Sequence, residues 1–119
     1  MANLNDSLSD LMTMDGALCA AVVDYSSGMM LGSIGSGVDM ELAAAGNTEV
    51  VRAKMKTMKA LGLNDNIDDI LITLGKQYHI IRPSQKLAGI FVYYVLDKAR
   101  SNLALARRKV ADVESNMSM

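Results

Sequence analysis

Between positions 67 and 95 the sequence carries three apolar stretches of strand length, at 67–74, 78–82 and 87–95, separated by only a few residues. Gly75-Lys76-Gln77 joins the first two, and Pro83 closes the second. A parallel crossover takes a dozen or more residues, so strands joined this tightly run antiparallel as a meander. Upstream, the apolar run Ala17-Leu18-Cys19-Ala20-Ala21-Val22-Val23 meets the turn formers Asp24-Tyr25-Ser26-Ser27-Gly28 and then Met29-Met30-Leu31-Gly32-Ser33-Ile34. This pattern predicts a hairpin whose first strand, lacking polar alternation, is buried on both faces.

Helical spacing occupies the remaining segments. Leu4, Leu8, Leu11 and Met12 recur on one side of a short amphipathic helix that Asp15-Gly16 ends. Asp39 can cap a long helix over 39–61, with Glu41 favoured in its first turn and Gly62 as its stop. Its stripe reads Met40, Ala44, Asn47, Val51, Met55 and Met58, while Arg52, Lys54, Lys56 and Lys59 lie mostly off that line. Val50, Ala53 and Leu61 widen the apolar side, so this helix has more apolar surface than one sheet contact requires. A last helix starts near Asp97 on Leu96, Ala99, Leu103, Ala106, Val110 and Val113, with Arg100, Arg107, Arg108 and Lys109 turned to solvent. The order α-β-β-α-β-β-β-α defines an α+β domain over 1–114, with one five-stranded antiparallel sheet and helices on both faces. Residues 115–119 carry no pattern and read as a disordered tail.

Composition removes several classes of function. The chain has 119 residues, half of them apolar, with 12 basic against 13 acidic side chains. A formal charge of −1 offers no basic footprint for the phosphates of nucleic acid. One cysteine makes neither an internal disulfide nor a thiolate metal site, no cofactor is implied, and the opening residues lack the basic and apolar regions of a leader. The expectation is a cytoplasmic protein. No run approaches a membrane-spanning length, since the stretch from Ala17 stops at Asp24. The apolar half holds ten methionines against five aromatic residues and no tryptophan, so flexible side chains fill the interior and suit a surface that re-packs around a partner.

Few residues invite chemistry. Gly32-Ser33-Ile34-Gly35-Ser36-Gly37 stands between a strand and a helix, where backbone amides can cradle an anion, but no Gly-Lys-Ser/Thr follows it, and a flexible connection is the simpler reading. Cys19 needs a base such as His79 beside it to act as a nucleophile, whereas its strand neighbours are apolar and raise a thiol pKa. Asp68 and Asp69 are adjacent in a strand, point to opposite faces, and more simply guard a sheet edge. A small-ligand sensor is the alternative reading, with a cavity between the sheet and the last helix lined by Tyr93, Tyr94 and His79. A thiol enzyme using Cys19 is the third. Asn47 sets an amide within an apolar stripe, where it either fixes the register of a helix pair or sits at the stripe's edge in water.

Four segments together resemble the roadblock/dynein light chain family. They are Leu11-Met12-x-Met14-Asp15-Gly16-Ala17, the hairpin Ala21-Val22-Val23-Asp24-x-x-Ser27-Gly28-Met29-Met30-Leu31, the helix start Asp39-x-Glu41-Leu42-Ala43-Ala44-Ala45, and Asn102-Leu103-Ala104-Leu105-Ala106-Arg107. The resemblance runs from about residue 8 to 113 and implies the roadblock fold, a profilin-like or longin-like architecture. It implies a homodimer in which the 39–61 helices pack together and the 67–74 strands pair edge to edge. Met40, Ala44, Asn47, Val51, Met55, Met58, Ile70 and Ile72 then line the interface. Family members act with small Ras-like GTPases as activators, effectors or platforms, or serve in dynein and signalling scaffolds, without a shared catalytic residue. A non-enzymatic regulator or scaffold follows, with Arg52, Lys56 and Lys59 as candidates for contacting the GTPase.

Overall fold

The computed structural model describes residues 2–119; the domain limit expected at residue 1 lies outside them. The chain runs α1 (Leu4–Leu11), β1 (Ala17–Asp24), β2 (Met29–Gly35), α2 (Met40–Ala60), β3 (Ile70–Thr73), β4 (Gln77–Pro83), β5 (Ile90–Asp97), a 3₁₀ turn (Lys98–Arg100) and α3 (Leu103–Asn116). The strands form one antiparallel sheet in the order β2-β1-β5-β4-β3, as the meander and hairpin patterns require. β1 lies inside the sheet between β2 and β5, and its residues Cys19 to Val23 are fully buried, which explains their lack of polar alternation.

The two faces hold separate cores. On one face α1 and α3 cover Ala20, Val22, Ile80, Val92, Tyr94 and Leu96. On the other, α2 packs mainly over β1 and β2, above Cys19, Ala21, Val23, Phe91 and Tyr93. Asn3, Asp39 and Asn102 cap the three helices, each side chain accepting a backbone amide three residues on.

Four boundaries differ from the expectation. β3 starts at Ile70 rather than 67, because Arg82 donates to the Asp68 carbonyl and Gln85 to the Ile67 carbonyl, at 3.2 Å each, in place of a strand ladder. Residues 87–89 form the turn before β5, not its start, with the Leu87 amide on Ser84 Oγ at 2.9 Å. The last helix starts at Leu103, since Asp97 caps only a single 3₁₀ turn. Residues 115–119 are not a loose tail. α3 continues to Asn116, the Met117 side chain is fully buried among the α1 and α3 core residues, and Ala2 donates its amide to the Asn116 carbonyl and accepts from the Ser118 amide, at 2.8 Å each.

An ionic cluster fixes the chain leading into β3. Arg82 Nε donates to Glu114 at 3.0 Å and Ser84 Oγ donates to the other oxygen of the same carboxylate at 3.1 Å. Arg107 grips Asp69 with two bonds of 2.9 and 3.0 Å. Asp69 thus anchors a loop to α3, and neither it nor Asp68 lies in a strand.

Candidate functional site

α2 separates its residues by face. Ala44 and Val51 are 2% and 0% exposed against the sheet, and Met40 and Met55 are half-buried on the same cluster. The hydroxyl of buried Thr48 donates to the Ala44 carbonyl at 2.7 Å, so the one polar residue of this inner line is satisfied within the helix. Ala44 and Val51 therefore have no surface to offer another chain, contrary to their expected place in an interface. The stripe read from the sequence is the side that α2 turns to its own sheet.

The surplus apolar surface lies elsewhere on the same helix. Ala43, Gly46, Asn47, Val50 and Leu61 follow a second line, rotated toward the β4 and β3 side of the sheet, with Leu42 beside it. Leu42, Val50 and Leu61 are 71%, 37% and 66% exposed. The widening by Val50, Ala53 and Leu61 was the sequence signal for this line.

Beyond α2 the sheet face is left without a helix. Ile81 and Tyr93 are buried, but Ile70, Ile72 and His79 on β3 and β4 are only half-buried. A groove of about 270 Å³ separates α2 from these strands, lined by Val38, Leu42, Ala43, Gly46, Asn47, His79 and Tyr93, with Asp39 at its rim. Next to it β3 pairs only with β4, so its outer edge has unpaired backbone groups. Its four residues, Ile-Leu-Ile-Thr, include none of the charges or prolines that natural edges use against pairing. Ile70 and Ile72 point to the α2 side and Leu71 to the other.

A polar chain crosses the groove floor. The Tyr93 hydroxyl lies 2.9 Å from His79 Nδ1, and His79 Nε2 lies 2.8 Å from Gln77 Oε1, so each ring nitrogen has one hydrogen-bond partner. A neutral imidazole with its proton on Nε2 satisfies both contacts, donating to Gln77 and accepting from Tyr93. Burial also lowers the His79 pKa. Burial raises that of Tyr93, against which the Asn47 side chain acts through its own hydrogen bond. Asn47 thus lies at the stripe's edge, but against a tyrosine rather than in water. Strand spacing alone does not reveal this cluster, since the β4–β5 register brings Tyr93 and His79 together.

The other candidate chemistries come apart. Tyr94 faces the opposite side of the sheet, where its hydroxyl donates to the Leu11 carbonyl at 2.5 Å, so Tyr93, Tyr94 and His79 do not line one cavity. Cys19 pairs with Val95, which pairs with His79 on its far side. Two strand spacings, about 10 Å, separate thiol and imidazole. Burial pushes the Cys19 thiol up. Gly35 lies so close to β1 that a Cβ there would stand 2.2 Å from the Leu18 carbonyl oxygen, and the Ser36 amide donates to that carbonyl at 3.1 Å. Gly35 serves this close approach, and the Ser36 amide is not free for an anion. Among the described residues no group of three or more His, Cys, Asp or Glu could hold a metal ion, and no helix is long and apolar enough to cross a membrane.

The basic flank of α2 is mixed. Arg52 donates to the Ser26 carbonyl at 2.5 Å and lies 3.7 Å from Glu49, which ties α2 to the β1–β2 turn. Lys56 and Lys59 are exposed, and among the described residues neither has a carboxylate within 4.0 Å. Lys59 and Met58 border a second cleft of about 430 Å³ between the end of α2 and the loops before β3 and β5.

A sheet of order β2-β1-β5-β4-β3, with two helices on one face and a single long helix on the other, is the roadblock fold. The chain is similar to the Roadblock/LC7 domain from Streptomyces avermitilis, with a TM-score of 0.81 at 12% identity over 96% of this chain and 93% of that one. It is also similar to Myxococcus xanthus MglB, at 0.79 and 16% over 94% and 91%. The gliding protein MglB from Thermus thermophilus superposes at 0.71 and 14% over 93% and 87%. The sequence itself matches no protein-family model and no curated protein. Structure therefore carries the likeness, and at least 93% of the chain takes part in it.

Proposed function

We propose that this chain is a non-enzymatic, homodimeric regulator or scaffold of the cytoplasm that docks a small Ras-like GTPase. The observation that carries the reading is the uncovered strip of the α2 face beside an undefended β3 edge. A second copy related by a two-fold axis supplies what both need at once, an apolar helix flank for the strip and a strand for the edge. Ile70, Ile72 and Asn47 keep their expected place in this interface, joined by Ala43, Gly46, Val50 and Leu61. Met58 borders it, whereas Met40, Ala44, Val51 and Met55 support α2 from beneath. The methionines thus serve the core more than the contact.

The GTPase half of the proposal rests on the family resemblance, on the shared fold, and on the exposed ammonium groups of Lys56 and Lys59. Arg52 is engaged with the hairpin turn and acts as a clamp rather than a recognition residue. In a dimer the two α2 helices lie side by side, so the unpaired lysines of both copies flank one helical platform. Such a platform acts on a GTPase by favouring one arrangement of its switch loops, with no residue of its own in the chemistry. The test is calorimetric titration with a Ras-like GTPase encoded in the same genome, loaded with GDP or a non-hydrolysable GTP analogue. Binding selective for one nucleotide state is expected, weakened about tenfold or more in a Lys56→Glu/Lys59→Glu variant. Absence of binding to every such GTPase, or unchanged affinity in the variant, refutes the platform.

A further inference from the structure

The groove that the second copy fills contains the chain's single histidine, and that residue is not passive packing. We propose that association of two copies is gated by pH through His79, which must be neutral for the partner helix to seat over it. This inference rests on the dimer proposed above and concerns how that same surface is controlled.

The geometry sets the sign. In the single chain His79 is half-buried and its ring is held edge-on to Tyr93, with centroids 5.6 Å apart. In the neutral ring with its proton on Nε2, Nδ1 accepts from the Tyr93 hydroxyl 2.9 Å away and Nε2 donates to Gln77 at 2.8 Å. A second proton, placed on Nδ1, makes that nitrogen a donor, so the Tyr93 hydroxyl must turn its own proton away. Even after that rearrangement a cation remains on the groove floor, where an apolar flank would remove its water.

The one carboxylate lining the groove, Asp39, is exposed at its rim and makes no ion pair with His79 among the described residues. On β5 the facing groups are Val95 and Tyr93, on β3 Ile72, and on β1, beyond Val95, Cys19. From α2 and its cap the facing groups are Asn47 and the exposed carboxylate of Asp39 at the rim. Covering the groove therefore lowers the affinity of His79 for a proton below its value in the free chain. By linkage the dimer is favoured above the free-chain titration of His79, which already lies below the ordinary histidine value, and is lost as pH falls through it. Each His79 contributes up to about tenfold in Kd per pH unit, and two act in each dimer.

The experiment is sedimentation velocity on the full chain over a concentration series at pH 7.5 and pH 5.0, for the wild type and His79→Gln. Glutamine accepts from Tyr93 and does not titrate. The wild-type Kd is expected to rise between pH 7.5 and pH 5.0, by up to about tenfold per His79 for each pH unit below its free-chain titration, while His79→Gln dimerises with nearly the same Kd at both. Equal wild-type Kd values, or an undiminished pH dependence in His79→Gln, overturn the gate while leaving the dimer standing. A wild type that stays monomeric at pH 7.5 overturns the dimer itself and the gate with it. Should His79→Gln misfold, the proton resonances of the lone imidazole decide the matter. They should titrate at lower pH in the wild-type dimer than in monomeric Val50→Asp, and coincident titrations refute the gate.

Discussion

Replacing Glu114 by alanine tests how the edge that the proposed dimer uses is held. The Glu114 side chain is 3% exposed and accepts from both Arg82 Nε and Ser84 Oγ. Removing one partner of a fully buried ion pair costs roughly 3–5 kcal/mol, because the other charge is left uncompensated. Arg82 is 17% exposed and keeps its bond to the Asp68 carbonyl, which lowers that figure. Losing the Ser84 bond adds about 1 kcal/mol. The expected loss is about 2–4 kcal/mol, which for a domain of this size lowers Tm by roughly 10 °C. Urea unfolding at fixed protein concentration should show a lower midpoint with an unchanged slope. Amide exchange should accelerate first at 67–73, since Arg82 links Glu114 to the chain leading into β3. Glu114→Gln, which retains an acceptor for Arg82, should lose less than half as much. A loss under about 1 kcal/mol for Glu114→Ala would refute the reasoning, because that is the scale of an exposed ion pair.

Tyr94→Phe should cost about 1–3 kcal/mol in the same urea titration, since it leaves the buried Leu11 carbonyl without its donor. A neutral substitution there would mean that α1 is not held to the sheet by this bond. Cys19 should resist a thiol reagent in the native state at pH 8 and react fully in denaturant, because it is completely buried and its thiolate is disfavoured. Rapid native labelling would contradict the burial of β1. Gly35→Ala should destabilise strongly in a thermal melt, since its φ is +82° and the added carbon would press on the Leu18 carbonyl; an unchanged Tm would show that the β1–β2 approach is looser than described.

Local signals sufficed where one cause dominates. The limits of α2 follow from Asp39 and Gly62, and the buried strand β1 from its unbroken apolar run. The start of α3 was harder, because Asp97 and Asn102 both cap a turn and only the second leads a helix of more than three residues. The start of β3 depends on Arg82 and Gln85, and the order of Met117 on a pocket between α1 and α3, all distant in sequence. The candidate surface was legible in kind but not in its residues. A period of 3.6 gives one apolar stripe on α2 widened by Val50, Ala53 and Leu61, but which part of it meets its own sheet depends on how the helix is rolled, and that is set by Ala44, Thr48 and Val51 seating on β1 and β2. The polar chain from Gln77 through His79 to Tyr93 depends on cross-strand register and leaves no spacing in the sequence.

The reading as a whole turns on whether two copies associate through the Val50 flank of α2 and the β3 edge. Sedimentation velocity at pH 7.5 and micromolar concentration should give twice the 12.8 kDa chain mass for the wild type and a folded monomer for Val50→Asp. A monomeric wild type, or a Val50→Asp protein that stays dimeric, would contradict it.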